Sequence, residues 1–113
     1  MLGKARIMTG DVEIAVLTGA FTARPDRVGD LAAVLARYVV LTRGEPGCRN
    51  VDLLVSATES GQFLVIEKWD SPDAARSHLD TELMTGMAAA AVPLLAQKPK
   101  MDLLDTISAH DLA

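Results

Sequence analysis

The sequence has only one cysteine, Cys48, among its 113 residues. A single cysteine cannot form an internal disulfide, so cross-linking is excluded as a source of stability. Cys48 follows a turn at residues 44–47 and stands at the predicted start of a strand. We therefore interpret it as a buried small hydrophobic residue rather than a reactive thiol.

Long apolar runs are also missing from the sequence. No run approaches the ~18 residues that a membrane-spanning helix needs, and residues 1–11 lack the apolar core of a signal peptide. These observations predict a cytoplasmic protein that does not enter a membrane.

Features that bind nucleic acids, nucleotides or metals are equally scarce. The formal net charge is −4 and the Lys and Arg residues, 11 in all, are scattered along the chain, so no basic patch is available for a phosphate backbone. No glycine-rich loop joins a strand to a helix, and no Cys, His and carboxylate residues have the spacing of a metal site. The sequence predicts a protein that uses no cofactor, binds no metal, flavin or nucleotide, and has no nucleic-acid partner.

Hydrophobic residues, by contrast, make up 50% of the chain. A chain of this length folds as one domain, which we place at residues 12–108, with flexible tails at residues 1–11 and 109–113. The interior of so small a domain has too little room to bury all of these apolar side chains. Part of the content is therefore expected to be buried against a second copy of the chain.

The spacing of apolar residues predicts the first four elements. Residues 12–21 alternate as a strand does, and both faces of that strand are largely apolar. Apolar positions three and four apart then indicate an amphipathic helix from Val28 to about Gly44. Two β-rich runs, residues 49–56 and 62–69, are joined by a short loop of the kind that closes a hairpin.

A second helix is marked by its start signals. Ser71 is a good N-cap, and Pro72 suits the first helical position. This helix is predicted to run to about Leu79. A further helical segment over residues 82–92 is stopped by Pro93, so the second helix is broken in two.

A final strand is predicted at residues 101–108. The order strand, helix, strand, strand, helix, strand is that of a ferredoxin-like α+β fold, with an antiparallel sheet and its helices on one face. The other face of the sheet would expose apolar strand residues in a monomer. We therefore expect a homodimer that pairs through this face.

The most informative residues lie at the end of the third strand and on the helix that follows it. Glu67 and Trp69 share one face of the strand, and His78 can face the same cavity from the helix. In these residues the sequence resembles the antibiotic biosynthesis monooxygenase family. The third strand of that family ends in Glu-x-Trp, and its next helix carries an Ala, here Ala74 or Ala75, followed by a His.

The resemblance covers roughly residues 12–108 and implies a dimeric α/β-barrel with a pocket in each subunit between the sheet and the broken helix. It also implies a small aromatic substrate, a quinol-like or polycyclic phenolic molecule, which is oxidised by O2 without a cofactor. The ionised substrate itself passes an electron to oxygen. The protein then needs only to bind the substrate, exclude water and help to deprotonate it.

His78 and Trp69 are the residues that we assign to catalysis. Histidine can change charge near neutral pH, so His78 is a candidate base, although a His on this helical stripe can also be a packed core residue. Trp69 forms either a wall for a flat ring or a core anchor. Glu67 needs a partner if it is buried, and Arg49 is one candidate.

Four residues join Glu67 in the predicted substrate-binding set. Thr18 is a polar residue of the first strand, and Phe63 shares the strand face of Glu67. Met84 and Met87, three residues apart on the last helical segment, either shape the pocket or fill the core.

Three other functions remain open. One branch of the same superfamily degrades haem with an Asn on the first strand, but residues 12–21 contain no Asn, and Thr18 is the nearest polar residue there. The second alternative is a dimer that binds a small molecule without turnover. The third is an isomerase that acts on a small carbonyl compound with the same His and pocket.

Overall fold

The computed structural model describes residues 13–109. The strands of its one sheet are β1 (Ala15–Thr22), β2 (Cys48–Val55), β3 (Gln62–Trp69) and β4 (Lys100–Asp105). The helices are α1 (Val28–Thr42), α2 (Pro72–Leu79) and α3 (Glu82–Ala91), and a 3₁₀ turn (Val92–Leu94) follows α3. Within this described part, no helix is both long and apolar enough to cross a bilayer.

The predicted order of elements and the break in the second helix are confirmed. The strands lie in the order β2-β3-β1-β4, and all neighbouring strands are antiparallel. The helices pack on one face of the sheet, where they share a core with the strands. This is the ferredoxin-like α+β fold.

Two strand boundaries differ from the prediction by more than one residue. β1 begins at Ala15 rather than at residue 12, which lies outside the described residues. β4 ends at Asp105 because its pairing partner β1 begins at Ala15, directly opposite. The Thr106 hydroxyl instead donates to the carbonyl oxygen of Ile14 at 2.8 Å. Residues 1–11 and 110–113, which make up nearly all of the two predicted tails, and His110 with them, also lie outside the described residues.

The inner face of the sheet, which the helices cover, carries the core. Phe21 of β1 is buried there in one cluster with Leu31 and Leu35 of α1. Leu17 of β1 is buried in a second cluster that includes Trp69. Thr18 follows the strand alternation and lies on the other face, at a pair position opposite Ile66. The alternation predicted for the first strand is therefore confirmed over its described residues.

The outer face of the sheet is not covered by any element of residues 13–109. Leu54 of β2 pairs with Leu64 of β3, and Leu104 of β4 pairs with Val16 of β1. The exposed fractions of Leu54, Leu64 and Leu104 are 46%, 38% and 45%. Exposed apolar side chains of this size on one face of a sheet commonly mark an interface with another chain.

The break between α2 and α3 fixes the position of His78. α2 begins at the predicted N-cap, since the Ser71 hydroxyl accepts the backbone N–H three residues later at 3.1 Å. Thr81 caps α3 by accepting the Met84 N–H at 3.2 Å, and the same hydroxyl donates to the carbonyl oxygen of His78 at 2.7 Å. His78 is therefore held in the last turn of α2.

Candidate active site

Four buried polar side chains meet between the sheet and the helices. Tyr38 comes from α1, Glu67 and Trp69 from the inner face of β3, and His78 from α2. None of the four has more than 2% of its surface exposed. We call these four residues the buried network.

The Glu67 carboxylate lies at the centre of the buried network. Tyr38 donates its hydroxyl hydrogen to Glu67 Oε2 at 2.6 Å, and the Trp69 indole Nε1–H donates to Oε1 at 3.0 Å. The Tyr38 hydroxyl also lies 2.7 Å from Nε2 of His78. Tyr38 therefore connects the carboxyl of Glu67 to the imidazole of His78.

His78 is held on its other sides as well. Its Nδ1 lies 3.3 Å from Oε1 of Glu45, whose side chain is 26% exposed at the turn after α1. Its ring stacks on the Trp69 indole with ring centres 4.6 Å apart and planes inclined by 30°. Both ring nitrogens of His78 thus have a hydrogen-bonding partner.

The environment keeps Tyr38 neutral and makes Glu67 a weaker acid. Burial raises the pKa of the Glu67 carboxyl above its ordinary value, while the hydrogen bond from Tyr38, the nearby His78 and the Trp69 N–H act in the opposite direction. Burial, followed by the charge of Glu67, raises the pKa of the Tyr38 hydroxyl far above its ordinary value. Tyr38 therefore remains a hydroxyl at neutral pH and can both donate and accept a proton.

Cys48 lies near this site at the start of β2. Its side chain is half-buried, and burial, with a further contribution from the Glu67 charge, raises the pKa of its thiol to about 11. The thiol is therefore protonated at neutral pH, which suppresses its reactivity.

An apolar groove of about 300 Å³ runs between α1 and α3. We call it the α1–α3 groove. Its lining consists of Val34, Arg37, Tyr38, Leu41, Glu82, Leu83, Gly86, Met87 and Ala90. Tyr38 is the residue that belongs to both the groove and the buried network, so one side chain connects the two.

The structure brings together only part of the predicted site. Glu67, Trp69 and His78 meet in the buried network, and Met87 lines the α1–α3 groove. Met84 instead faces, with Met87, a smaller cavity of about 90 Å³ on the other side of α3.

Three residues that were predicted in or beside the site lie outside the buried network. Thr18 lies on the outer face of the sheet, because strand residues alternate between faces and its neighbour Leu17 points inward. Phe63 is on the inner face but belongs to the main core, ~13 Å along β3 from Glu67. The Arg49 guanidinium binds Asp70 at 3.0 Å, and the hydrogen bonds to Glu67 come from Tyr38 and Trp69 instead.

Sequence reasoning missed Tyr38 and Glu45. Tyr38 is one of the positions, three and four residues apart, that predict α1, and a buried tyrosine hydroxyl usually has a hydrogen-bond partner, which signals a polar contact in the core. Glu45 lies in a turn, and the sequence contains no signal that directs its side chain towards His78.

Among residues 13–109, no three His, Cys, Asp or Glu side chains are arranged to hold a metal ion.

Comparison with known proteins places these residues in a family context. Residues 14–90 match the family model described as antibiotic biosynthesis monooxygenase. The chain is similar to sll1783 of Synechocystis, 27% identical over 82 residues, or 73% of this chain. It is also similar to Rv0793 of Mycobacterium tuberculosis, to which it is 38% identical over 58 residues, or 51% of this chain. The name of that protein assigns it provisionally as a monooxygenase. Each match spans only 56% of the relative's own length.

Solved structures share the fold over nearly their whole length. The Rv0793 structure superimposes with a TM-score of 0.78 and 27% identity, covering 85% of this chain and 97% of that one. The structure of PA3566 from Pseudomonas aeruginosa gives a TM-score of 0.75 and 29% identity, covering 85% of this chain and 96% of that one.

Proposed function

This chain belongs to the antibiotic biosynthesis monooxygenase family, and we propose that it is a cofactor-independent monooxygenase that oxidises a quinol-like or polycyclic phenolic molecule with O2. One observation carries the proposal. Tyr38 lines the apolar α1–α3 groove and also contacts both Glu67 and His78. A site for a flat ring therefore ends at buried groups that can accept a proton.

The α1–α3 groove suits an aromatic molecule of modest size. Its volume of about 300 Å³ is at the lower end of the range for ligand pockets and matches two or three fused rings. Leu83 and Met87 offer apolar contacts to the faces of a ring, and Met is well suited to irregular ligands. Arg37 and Glu82 are exposed and supply polar groups to the groove for ring substituents.

The reaction needs a proton acceptor but no redox group on the protein. Once the phenol is ionised, the substrate passes one electron to O2, and the two radicals combine in a carbon–oxygen bond. The peroxide then loses water and leaves a carbonyl group. For an anthrone-type substrate, the ring CH2 loses two hydrogens and gains one oxygen atom of O2, and the other oxygen atom leaves as water.

Within this scheme the buried network takes up the phenolic proton. The substrate hydroxyl donates towards the Tyr38 oxygen, and the proton is passed to His78, which acts as the base. Trp69 orients the base, because it stacks on the imidazole and fixes Glu67 through its N–H. The low exposure of all four residues keeps water from the reacting groups.

A homodimer formed through the outer face of the sheet is part of the proposal. Leu54, Leu64 and Leu104 lie on that face and are exposed in the single chain. Pairing two such faces would bury this apolar surface and produce the dimeric α/β-barrel. A stable dimer of this kind buries at least ~1,000 Å² in total.

The geometry favours phenol oxidation over the haem alternative. Thr18 and Thr22, the polar residues of β1, lie on the opposite face of the sheet from Trp69, so no polar side chain of this strand can act with Trp69 and His78. Both nitrogens of His78 already have partners in Tyr38 and Glu45. Addition of haem should therefore produce no shift of its Soret band.

Location and other partners remain predictions. We propose a cytoplasmic protein with no membrane or nucleic-acid partner. The net charge of −4 and the scattered basic residues argue against nucleic-acid binding.

Oxygen uptake with a panel of hydroquinones and anthrones tests the function. Gly86 lies in the α1–α3 groove, and an added Cβ there meets no heavy atom within 4 Å. Gly86→Ala should therefore fold normally and retain turnover, whereas Gly86→Phe should fill the groove and abolish it. Absence of oxygen uptake with every compound, or equal turnover by the two variants, would contradict the proposal. The first result would favour a binding protein or an isomerase, since neither consumes O2.

A further inference from the structure

We infer that four side chains, Glu67, Tyr38, His78 and Glu45, form a proton path that leads from the buried network to solvent at the turn after α1. The inference deepens the proposed function, because a phenol oxidised in a closed site must release its proton. It assigns Glu45 as the outer end of the path and Tyr38 as its relay.

The path is continuous in the structure. Glu67 Oε2 lies 2.6 Å from the Tyr38 hydroxyl, that hydroxyl lies 2.7 Å from Nε2 of His78, and Nδ1 of His78 lies 3.3 Å from Glu45 Oε1. The first three residues are at most 2% exposed. The Glu45 side chain is 26% exposed, so it is where the path reaches water.

Two proton arrangements satisfy every partner along the path. In the first, Nε2–H of a positively charged His78 donates to the Tyr38 oxygen, and Tyr38 donates to the Glu67 carboxylate. In the second, a protonated Glu67 donates to Tyr38, and Tyr38 donates to Nε2 of a neutral His78. Passing between them moves each proton across one hydrogen bond, and the net result is transfer of one proton between Glu67 and His78.

Release to solvent then uses the other nitrogen of His78. The imidazole gains a proton at Nε2 and gives up the proton on Nδ1 to the Glu45 carboxylate, from which water removes it. The ring ends neutral, with its remaining proton on Nε2. Atoms and charge balance at each step, because one proton enters the path and one leaves it.

The turn that carries Glu45 is built rigidly against α2. The Glu45 N–H donates to the Thr42 carbonyl at 3.0 Å, and the Glu45 carbonyl accepts the Cys48 N–H at 3.1 Å. Gly47 has a φ of 81°, and a Cβ at this position would lie 2.8 Å from that of Ala74 on α2. The turn can therefore approach α2 one helical turn before His78, which brings Glu45 within reach of the imidazole.

Among residues 13–109, a small set of charged and titratable groups faces the imidazole or lies close to it. Tyr38 faces it from α1, Glu45 from the turn, Glu67 from β3, and the thiol of Cys48 lies beside Glu67 at the start of β2, with Arg43 close to that thiol. Burial raises the pKa of both Tyr38 and Cys48, which keeps both protonated at neutral pH. The carboxylates of Glu45 and Glu67 are therefore the groups that exchange protons with His78.

A pH jump on the substrate-free protein tests the path. Trp69 is the only tryptophan in the chain, and its ring lies 4.6 Å from that of His78, so protonation of the imidazole should quench its fluorescence. We expect the fluorescence to relax more slowly in Glu45→Gln than in the wild type, by a factor on the order of ten or more. Addition of a small carboxylic acid, such as acetate, should restore the rate. For each variant, the pH values before and after the jump should lie equally far from that variant's own titration midpoint. The comparison then reports rates of proton transfer rather than differences in the protonation equilibrium.

Matched variants decide between the outcomes. Glu59→Gln, an exposed carboxyl in the β2–β3 loop, should relax at the wild-type rate, and His78→Gln should lose the fluorescence step. An unchanged rate in Glu45→Gln, or a step that persists in His78→Gln, would overturn the inference. Because no substrate is present, a protein that shows the path but consumes no oxygen would refute the proposed function alone.

Discussion

Replacing Tyr38 with Phe removes one oxygen atom and keeps the ring that packs in the core. That oxygen serves Glu67 at 2.6 Å and His78 at 2.7 Å, so its loss leaves two buried groups short of a partner. A hydrogen bond to a charged group contributes about 1.5–3 kcal/mol, and an orphaned buried polar group costs about 1–3 kcal/mol. His78 Nε2 also lies 3.5 Å from Glu67 Oε1, and their closer approach would recover part of the loss. We expect the free energy of unfolding to fall by about 2–3 kcal/mol.

Urea denaturation followed by far-UV circular dichroism measures this change. Ser77→Ala is the matched control, because it removes an exposed hydroxyl on α2 next to His78 and should change stability by no more than about 0.5 kcal/mol. A Tyr38→Phe variant as stable as this control would refute the view that the Tyr38 hydroxyl holds the buried network together.

Three further predictions concern the network and the dimer. Burial raises the pKa of the Glu67 carboxyl in the folded state above its ordinary 4.5. Between the two pKa values the folded protein therefore keeps the carboxyl proton that the unfolded chain has lost. The stability that this proton contributes falls as pH rises through the folded pKa. Unfolding free energies from about pH 4 to 8 should therefore show a smaller decline in Glu67→Gln than in the wild type; parallel curves would contradict this. His78→Ala should lower oxygen uptake at least about tenfold and remove a pH dependence of turnover while the dimer stays folded; unchanged turnover and pH profile would exclude His78 from the mechanism. Leu64→Lys places a charge on the outer face and should halve the mass seen by light scattering, whereas an unaltered dimer would place the interface elsewhere.

The fold could be predicted because local signals and the global arrangement agree. The N-cap Ser71 and Pro72 mark the start of α2, and the spacing of apolar residues identifies α1 despite its lack of a side-chain cap. Strand ends were harder to predict. β4 ends at Asp105 because β1, its pairing partner, extends no further than the opposite residue, Ala15. The position of this strand end depends on the register of the two strands rather than on composition.

The site was predictable only where strand alternation determines which face a residue occupies. Glu67 and Trp69 lie two residues apart on β3, so their shared face follows from the sequence. Tyr38 and Glu45 come from elements far along the chain, and only tertiary packing brings them to His78. Thr18 was placed in the site for its polarity, although its alternation with Leu17 already directs it to the outer face.

Stability alone does not account for the composition of the buried network. The other buried residues on the inner face of β3 include Phe63 and Val65, and a carboxyl among them is costly, as the raised pKa of Glu67 records. Replacing buried ionic groups with apolar residues of similar volume is often neutral or stabilising. The combination of Glu67, Tyr38 and His78 instead provides groups that exchange protons over hydrogen-bond distances beside an apolar groove. The proposed oxidation of a phenol without a cofactor would use such groups, because the proton must be removed where water is excluded and must still have a route to solvent.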